Sequence, residues 1–387
     1  MKILLIDFDS DWPNLALMRL ARHHRLRGDK VALRRSRGRY PSIQRILHSK
    51  PDRVYLSKIF TFQKETREKR PLDEWFRVSR SVGIEMETGG TGIDESISLP
   101  DEVDHLFPDY SIYRDPPYAI GFITRGCIRN CEWCIVPSKE GRIHHCQNLE
   151  GFVPEAVDRV VLLDNNFLAW EGSIGYIEEV MIPSNKAFYM TQGFDIRLFT
   201  EENIDTIMRC RWMGKHFKKR ELVFGFDSIG IYDTVAEKLQ MFRDHGYSTS
   251  SLKFLMLYDF NTTLSEDLRR LDLLRRFGAQ PFWMRYRQVN GVARKNVGYV
   301  DCRIEEFPGD IFGFRGCRLN ISQFLRYLTD RGVRIPERHF PRMRKERFDI
   351  YFGPTIRRQK RMGGFGSIPG TFRDASLWKW AETAILT

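Results

Sequence analysis

From Ala119 onward, six short apolar runs recur roughly thirty residues apart, and that spacing leaves few folds open. They begin near Ala119, Arg159, Ala187, Leu222, Phe254 and Pro281. Helical patterns fill the gaps at Glu201 to Cys210, Asp233 to His245 and Ser265 to Phe277, the last with Leu268, Leu271 and Leu274 at helical spacing. A strand returns parallel to its predecessor only through a crossover of a dozen or more residues, usually a helix. The pattern therefore predicts an α/β fold in which residues 114–290 build a partial (β/α)6 barrel.

Upstream, residues 1–113 show the same alternation on a smaller scale. Lys2 to Ile6, Val31 to Leu33 and Arg53 to Ser57 read as strands. Pro13 opens a helix with Leu17, Leu20, Ala21 and His24 on one face, and Gly28 is placed to end it. Gly89-Gly90-Thr91-Gly92 reads as a flexible loop, and the Pro- and Tyr-rich stretch from Pro100 to Tyr118 as a boundary. A small Rossmann-like domain with a parallel sheet is expected. A chain of 387 residues has room for both domains and for a third segment, residues 291–387, which is basic.

Parallel α/β folds place their sites at the carboxyl ends of the strands, and here each such end is polar. The six runs are followed in turn by Thr124-Arg125-Gly126-Cys127, Asp164-Asn165-Asn166, Gln192 with Asp195 and Arg197, Asp227-Ser228, Asp259 with Asn261, and Arg285-Tyr286. Polar residues are ordinary in loops, so no single position decides the matter. Cysteine does. Of seven cysteines, Cys127, Cys131 and Cys134 fall within eight residues after the first run, an arrangement that suits metal chemistry better than a disulfide framework. Three thiolates on one loop can hold three irons of a 4Fe–4S cube and leave the fourth open. The alternative is structural zinc, with Cys146, His144 or His145 as a fourth ligand. Cys146, Cys210, Cys302 and Cys317 are scattered and read as free thiols.

Cys127-x3-Cys131-x2-Cys134, with Trp133 just before the last cysteine, resembles the signature of radical S-adenosylmethionine (SAM) enzymes. The likeness covers about residues 119–290, and the family's partial βα barrel agrees with the strand rhythm. It implies a 4Fe–4S cluster on Cys127, Cys131 and Cys134, with SAM on the open iron. It further implies reductive cleavage of SAM to a 5′-deoxyadenosyl radical and an external one-electron donor of flavodoxin or ferredoxin type. By the same likeness, Trp133 and Asp164-Asn165-Asn166 match cluster-flanking and SAM amino-group positions. Gln192, Asp195 and Arg197 match the ribose and carboxylate region. Asp227-Ser228, in Gly225-Phe226-Asp227-Ser228, matches a Gly-x-Glu-Ser element with Asp for Glu. No residue acting on a substrate is identified.

The N-terminal domain resembles the cobalamin-binding-like domain that precedes the barrel in one branch of that family. Its Asp-x-His-x-x-Gly ligand motif is missing, since Asp7-Phe8-Asp9-Ser10-Asp11-Trp12 follows the first strand. Carboxylates are poor ligands for a soft metal, so a degenerate scaffold without bound cobalamin is expected. Lys and Arg (62) exceed Asp and Glu (50), a net +12 that favours an anionic partner. In the tail, Arg338 to Lys345 and Arg357 to Arg361 are interleaved with Phe340, Phe348, Tyr351 and Phe352. They could track a nucleic-acid backbone and stack bases, or form a lid over an anionic substrate. Two alternatives stand beside the radical enzyme: a nucleic-acid-modifying methyl- or methylthiotransferase of the same family, and a basic nucleic-acid-binding protein with structural zinc. No apolar run approaches membrane-spanning length, and Met1 to Asp7 reads as a strand rather than a signal peptide, so a cytoplasmic protein without a membrane partner is expected.

Overall fold

The computed structural model describes residues 1–36, 46, 48–60, 76–258, 260–286 and 327. Asp259, Cys302, Cys317 and the basic runs of the tail lie outside the described residues. The chain divides into two compact units, and the described parts of the first are Met1–Gln192 and Arg209–Lys219. Those of the second are Gly193–Met208 and Arg220–Tyr286, with Tyr327.

The first unit opens on a four-stranded parallel sheet in the order β2-β1-β3-β4. Its strands are β1 (Lys2–Asp7), β2 (Lys30–Arg35), β3 (Arg53–Ser57) and β4 (Glu85–Gly89). β1 is apolar without a break from Ile3 to Ile6 because both of its faces are covered there. Ile3 and Leu5 pack with Leu17 and Ala21 of the helix α1 (Leu15–Leu26), while Leu4 and Ile6 pack with Ile46, Val54 and Leu56 on the other side. Asn14 caps α1 by accepting from the Leu17 N–H at 3.1 Å. β4 departs from the sequence expectation. The expected loop there starts only at Gly90, because an edge strand of alternating Glu85, Met86, Glu87 needs one buried face and carries little apolar signal.

The same unit holds a second parallel sheet in the order β5-β8-β9, from β5 (Ala119–Gly121), β8 (Arg159–Leu162) and β9 (Ala187–Met190). The first expected barrel strand is broken. Its far end, β6 (Thr124–Arg125), turns aside and pairs antiparallel with β7 (His144–His145), a hairpin that periodicity does not predict. The fully buried Arg19 of α1 donates to Asp104 at 2.6 Å and Gln147 at 2.9 Å, and Arg125 pairs with Asp104 at 2.9 Å. This network fastens the hairpin to the N-terminal helix.

The second unit contains a three-stranded parallel sheet, β10 (Leu222–Gly225), β11 (Leu252–Tyr258) and β12 (Gln280–Arg285) in that order. The helices Tyr232–Asp244 and Leu264–Arg276 return the chain between them. Its core is aromatic: Phe224 stacks on Phe254 at 5.3 Å and meets Phe199 and Phe242 at 5.5 and 6.1 Å. The molecule is thus a mixed α/β protein built on parallel sheets.

Candidate functional site

Gly126 adopts φ +83°, and a Cβ there would stand 2.3 Å from the Arg142 carbonyl oxygen. Only glycine lets the chain pass so close, and the cysteine loop starts at the next residue. The Cys127 N–H donates to the Gly141 carbonyl at 3.1 Å, which closes the loop at its base. Cys127, Cys131 and Trp133 are half-buried and Cys134 is exposed. Sulfur accepts at both ends of the motif: Cys127 Sγ from the Arg129 N–H at 3.3 Å and Cys134 Sγ from the Val136 N–H at 3.5 Å. Thiolate is the form of cysteine that binds metal.

The residues after β8 fasten this loop one by one. Asp164, fully buried, accepts from the Ile123 N–H at 3.1 Å and from the Thr124 N–H and hydroxyl at 2.6 and 2.8 Å. Asn165 Oδ1 accepts from the Gly126 N–H at 3.0 Å. Asn166 Nδ2 donates to Cys127 Sγ at 3.3 Å, and its buried Oδ1 has no hydrogen-bond partner. Burial raises the Asp164 pKa to about 6, while the bonds from Thr124 and Ile123 oppose that shift. The sequence marked all three as strand-end polar residues but did not show that they grip the cysteine loop.

The other candidates lie in two places. Gln192 is exposed at the end of the first unit. Asp195, Arg197, Asp227 and Ser228 belong to the second unit. Gly193 there has φ +80° with the Val223 carbonyl oxygen 2.7 Å from where a Cβ would be, and the Phe194 N–H donates to that same carbonyl at 2.7 Å. Asp195 pairs with Arg197 at 2.6 Å and also accepts from the Arg197 N–H at 3.2 Å, capping the turn Ile196–Leu198. The Arg197 side chain keeps about a third of its surface exposed (33%). Asp227 is half-buried, accepts from the Leu257 N–H at 3.2 Å, and has its pKa raised to about 6 chiefly by desolvation. Ser228 caps the turn Ile229–Ile231 through the Gly230 N–H at 3.1 Å.

Among the described residues, no three Cys, His, Asp or Glu side chains form a group that could hold a metal ion. The histidines considered as zinc ligands have other partners: His144 meets the Arg142 carbonyl at 2.9 Å, and His145 meets Asn148 at 3.1 Å and stacks on Trp170. Cys146 is half-buried, with its thiol pKa raised by burial, and Cys210 is buried. The three motif thiols nevertheless suit an iron–sulfur cluster. They share one loop, two of them already accept N–H donors, and an orphaned amide oxygen is buried beside the first.

No family model matches the chain. One curated relative is a tRNA-2-methylthio-N(6)-dimethylallyladenosine synthase of Aquifex aeolicus (strain VF5). It is 25% identical over 185 residues, which cover 46% of this chain and 37% of the relative. The chain therefore spans little more than a third of that enzyme. No helix among the described residues is long and apolar enough to cross a membrane.

Proposed function

We propose that the chain is a radical SAM enzyme that holds a 4Fe–4S cluster through Cys127, Cys131 and Cys134. The observation that carries the reading is a C-x3-C-x2-C loop with Trp133 in place, fastened at its base by Asp164, Asn165 and Asn166. The partial likeness to a tRNA methylthio-adenosine synthase supports it. When bound, the cluster and SAM supply reductive cleavage to a 5′-deoxyadenosyl radical, with the electron from a flavodoxin- or ferredoxin-type donor.

The chain's own residues hold and orient. Asp164 and Asn165 fix the backbone at Thr124 and Gly126, so Cys127 is presented from a rigid base. Asn166 directs an N–H at the Cys127 sulfur. In the second unit, Asp195, Arg197, Asp227 and Ser228 keep the chemical types of the family's SAM contacts, and Gln192 of the first unit keeps an amide. A second reading, favoured by the relative's name, is a methyl- or methylthiotransferase acting on nucleic acid.

Anaerobic reconstitution followed by iron and sulfide analysis tests the main reading. Cys127→Ala, Cys131→Ala and Cys134→Ala should each abolish bound iron, because two thiolates hold a cube poorly. Cys210→Ala, Cys302→Ala and Cys317→Ala should leave it nearly unchanged. Normal iron in Cys131→Ala would overturn the assignment. Mass spectrometry of the SAM products then divides the readings: 5′-deoxyadenosine without S-adenosylhomocysteine marks hydrogen abstraction, and S-adenosylhomocysteine marks methyl transfer.

A further inference from the structure

Four aromatic rings of the first unit form a continuous row. Tyr118 meets Trp12 edge-on at 4.9 Å, Trp12 lies 5.9 Å from Tyr189, and Tyr189 lies 6.4 Å from Phe217. All four are half-buried. Strand alternation explains Tyr189, since its neighbours on β9, Phe188 and Met190, turn into the core at 0% and 3% exposure. A row of large rings left partly exposed is the kind of surface that a partner covers.

The loop that carries Phe217 is held in shape. Gly214 donates to the Lys219 carbonyl at 3.0 Å, Phe217 donates to the Gly214 carbonyl at 2.8 Å, and Phe217 takes φ +55°. A left-handed backbone on a bulky aromatic is strained and persists only where the surroundings impose it. The same loop is strongly basic. Arg209 to Arg220 contains six Lys or Arg and no Asp or Glu, and Lys215, His216, Lys218 and Lys219 are exposed. Lys215 Nζ lies 5.8 Å over the Trp12 ring and 3.4 Å from Asp11. At the other end of the row, Arg35 is near enough to Tyr118 to lower its pKa against the raising effect of burial.

We infer that this row, with its basic rim, is a binding surface for single-stranded nucleic acid. Lysines neutralise phosphates, and every base has a π-face that an aromatic ring can take without regard to sequence. An acidic peptide would engage the lysines and leave the rings unused. As a binding surface the proposal stands on these residues alone; as a naming of the substrate class it rests on the nucleic-acid-modifying reading above.

The test is fluorescence anisotropy of a labelled twelve-nucleotide RNA of mixed sequence with the full chain lacking metal, so failure of the cluster reading leaves it intact. Trp12→Ala and Phe217→Ala should each weaken binding on the order of ten-fold, while Trp12→Tyr keeps it within about two-fold. The double variant Lys218→Ala/Lys219→Ala should lower the slope of log affinity against log salt by about 1.4. Circular dichroism checks that each variant is folded, and if Trp12→Ala fails to fold, Phe217→Ala and the lysine pair decide. Binding unchanged in the folded ring variants would overturn the proposal. So would displacement of the RNA by poly-L-glutamate as readily as by unlabelled RNA.

Discussion

The residues after β8 and those after β9 look alike as sequence, each a short polar run closing a buried strand. In the molecule they are used differently. Asp164, Asn165 and Asn166 give their groups to a loop about forty residues back along the chain, while Asp195 gives its carboxylate to Arg197, two residues on. The first set builds a rigid platform that Cys127 stands on. The second set is a local cap with a partly exposed arginine side chain. A strand-end polar residue must first satisfy whatever backbone N–H burial has stranded nearby, and only groups left over can meet a ligand.

The largest effect should come from the platform. Asp164→Ala leaves two backbone N–H groups and the Thr124 hydroxyl without their acceptor in a fully buried place, which should cost on the order of 3–5 kcal/mol in a urea melt. A loss below about 1 kcal/mol would mean the loop does not depend on this clasp, and the contrast drawn above would collapse.

A middle effect concerns Asp227, a half-buried carboxylate. Burial raises Asp227 to about 6 from an ordinary 3.8, so the folded state holds a proton that the unfolded chain releases between those values. Its contribution is fully present below about pH 4 and is lost as pH rises through about 6. Asp227→Asn keeps an acceptor for the Leu257 N–H and removes the buried charge. Above pH 7 the variant should be as stable as the parent or more so, by on the order of 1–3 kcal/mol, with a flatter profile from pH 4 to 6. Thermal melts across that range measure it, and a less stable variant at pH 8 would show that the charge is wanted where it sits.

The smallest stability change belongs to the local cap. Arg197 is a third exposed, so loss of its pair with Asp195 should cost roughly 0–1 kcal/mol. If its open face also meets SAM, Arg197→Ala should weaken SAM binding about ten-fold by isothermal titration into the reconstituted protein, with the iron–sulfur spectrum unchanged. Unchanged affinity beside a lowered melting point would make Arg197 a strand-end ion pair and nothing more.

Much of this was legible from the residues in order. The strands beginning at Ala119, Arg159, Ala187, Leu222, Phe254 and Pro281 fall within a residue or two of β5, β8, β9, β10, β11 and β12. Each carries a mainly apolar run that the sequence spells out. β4 was not legible, because an edge strand such as Glu85–Gly89 needs little apolar content. The hairpin β6–β7 was hidden too, although Gly126 and Gly141 bracket the cysteine loop and mark where the chain turns. The row from Tyr118 to Phe217 could not be seen at all, since its four rings come from separate parts of the chain.

The sequence by itself determined the alternation of strand and helix and the spacing of three thiols, because periodicity and close spacing are properties of neighbours along the chain. Only the tertiary structure decided what each polar group does. The groups that pair with Asp164, Asn165 and Asn166 stand 39 to 41 residues away, so their pairing exists only once β5 and β8 lie side by side. Burial then makes that pairing compulsory, since an unmet N–H inside the protein has no water to turn to.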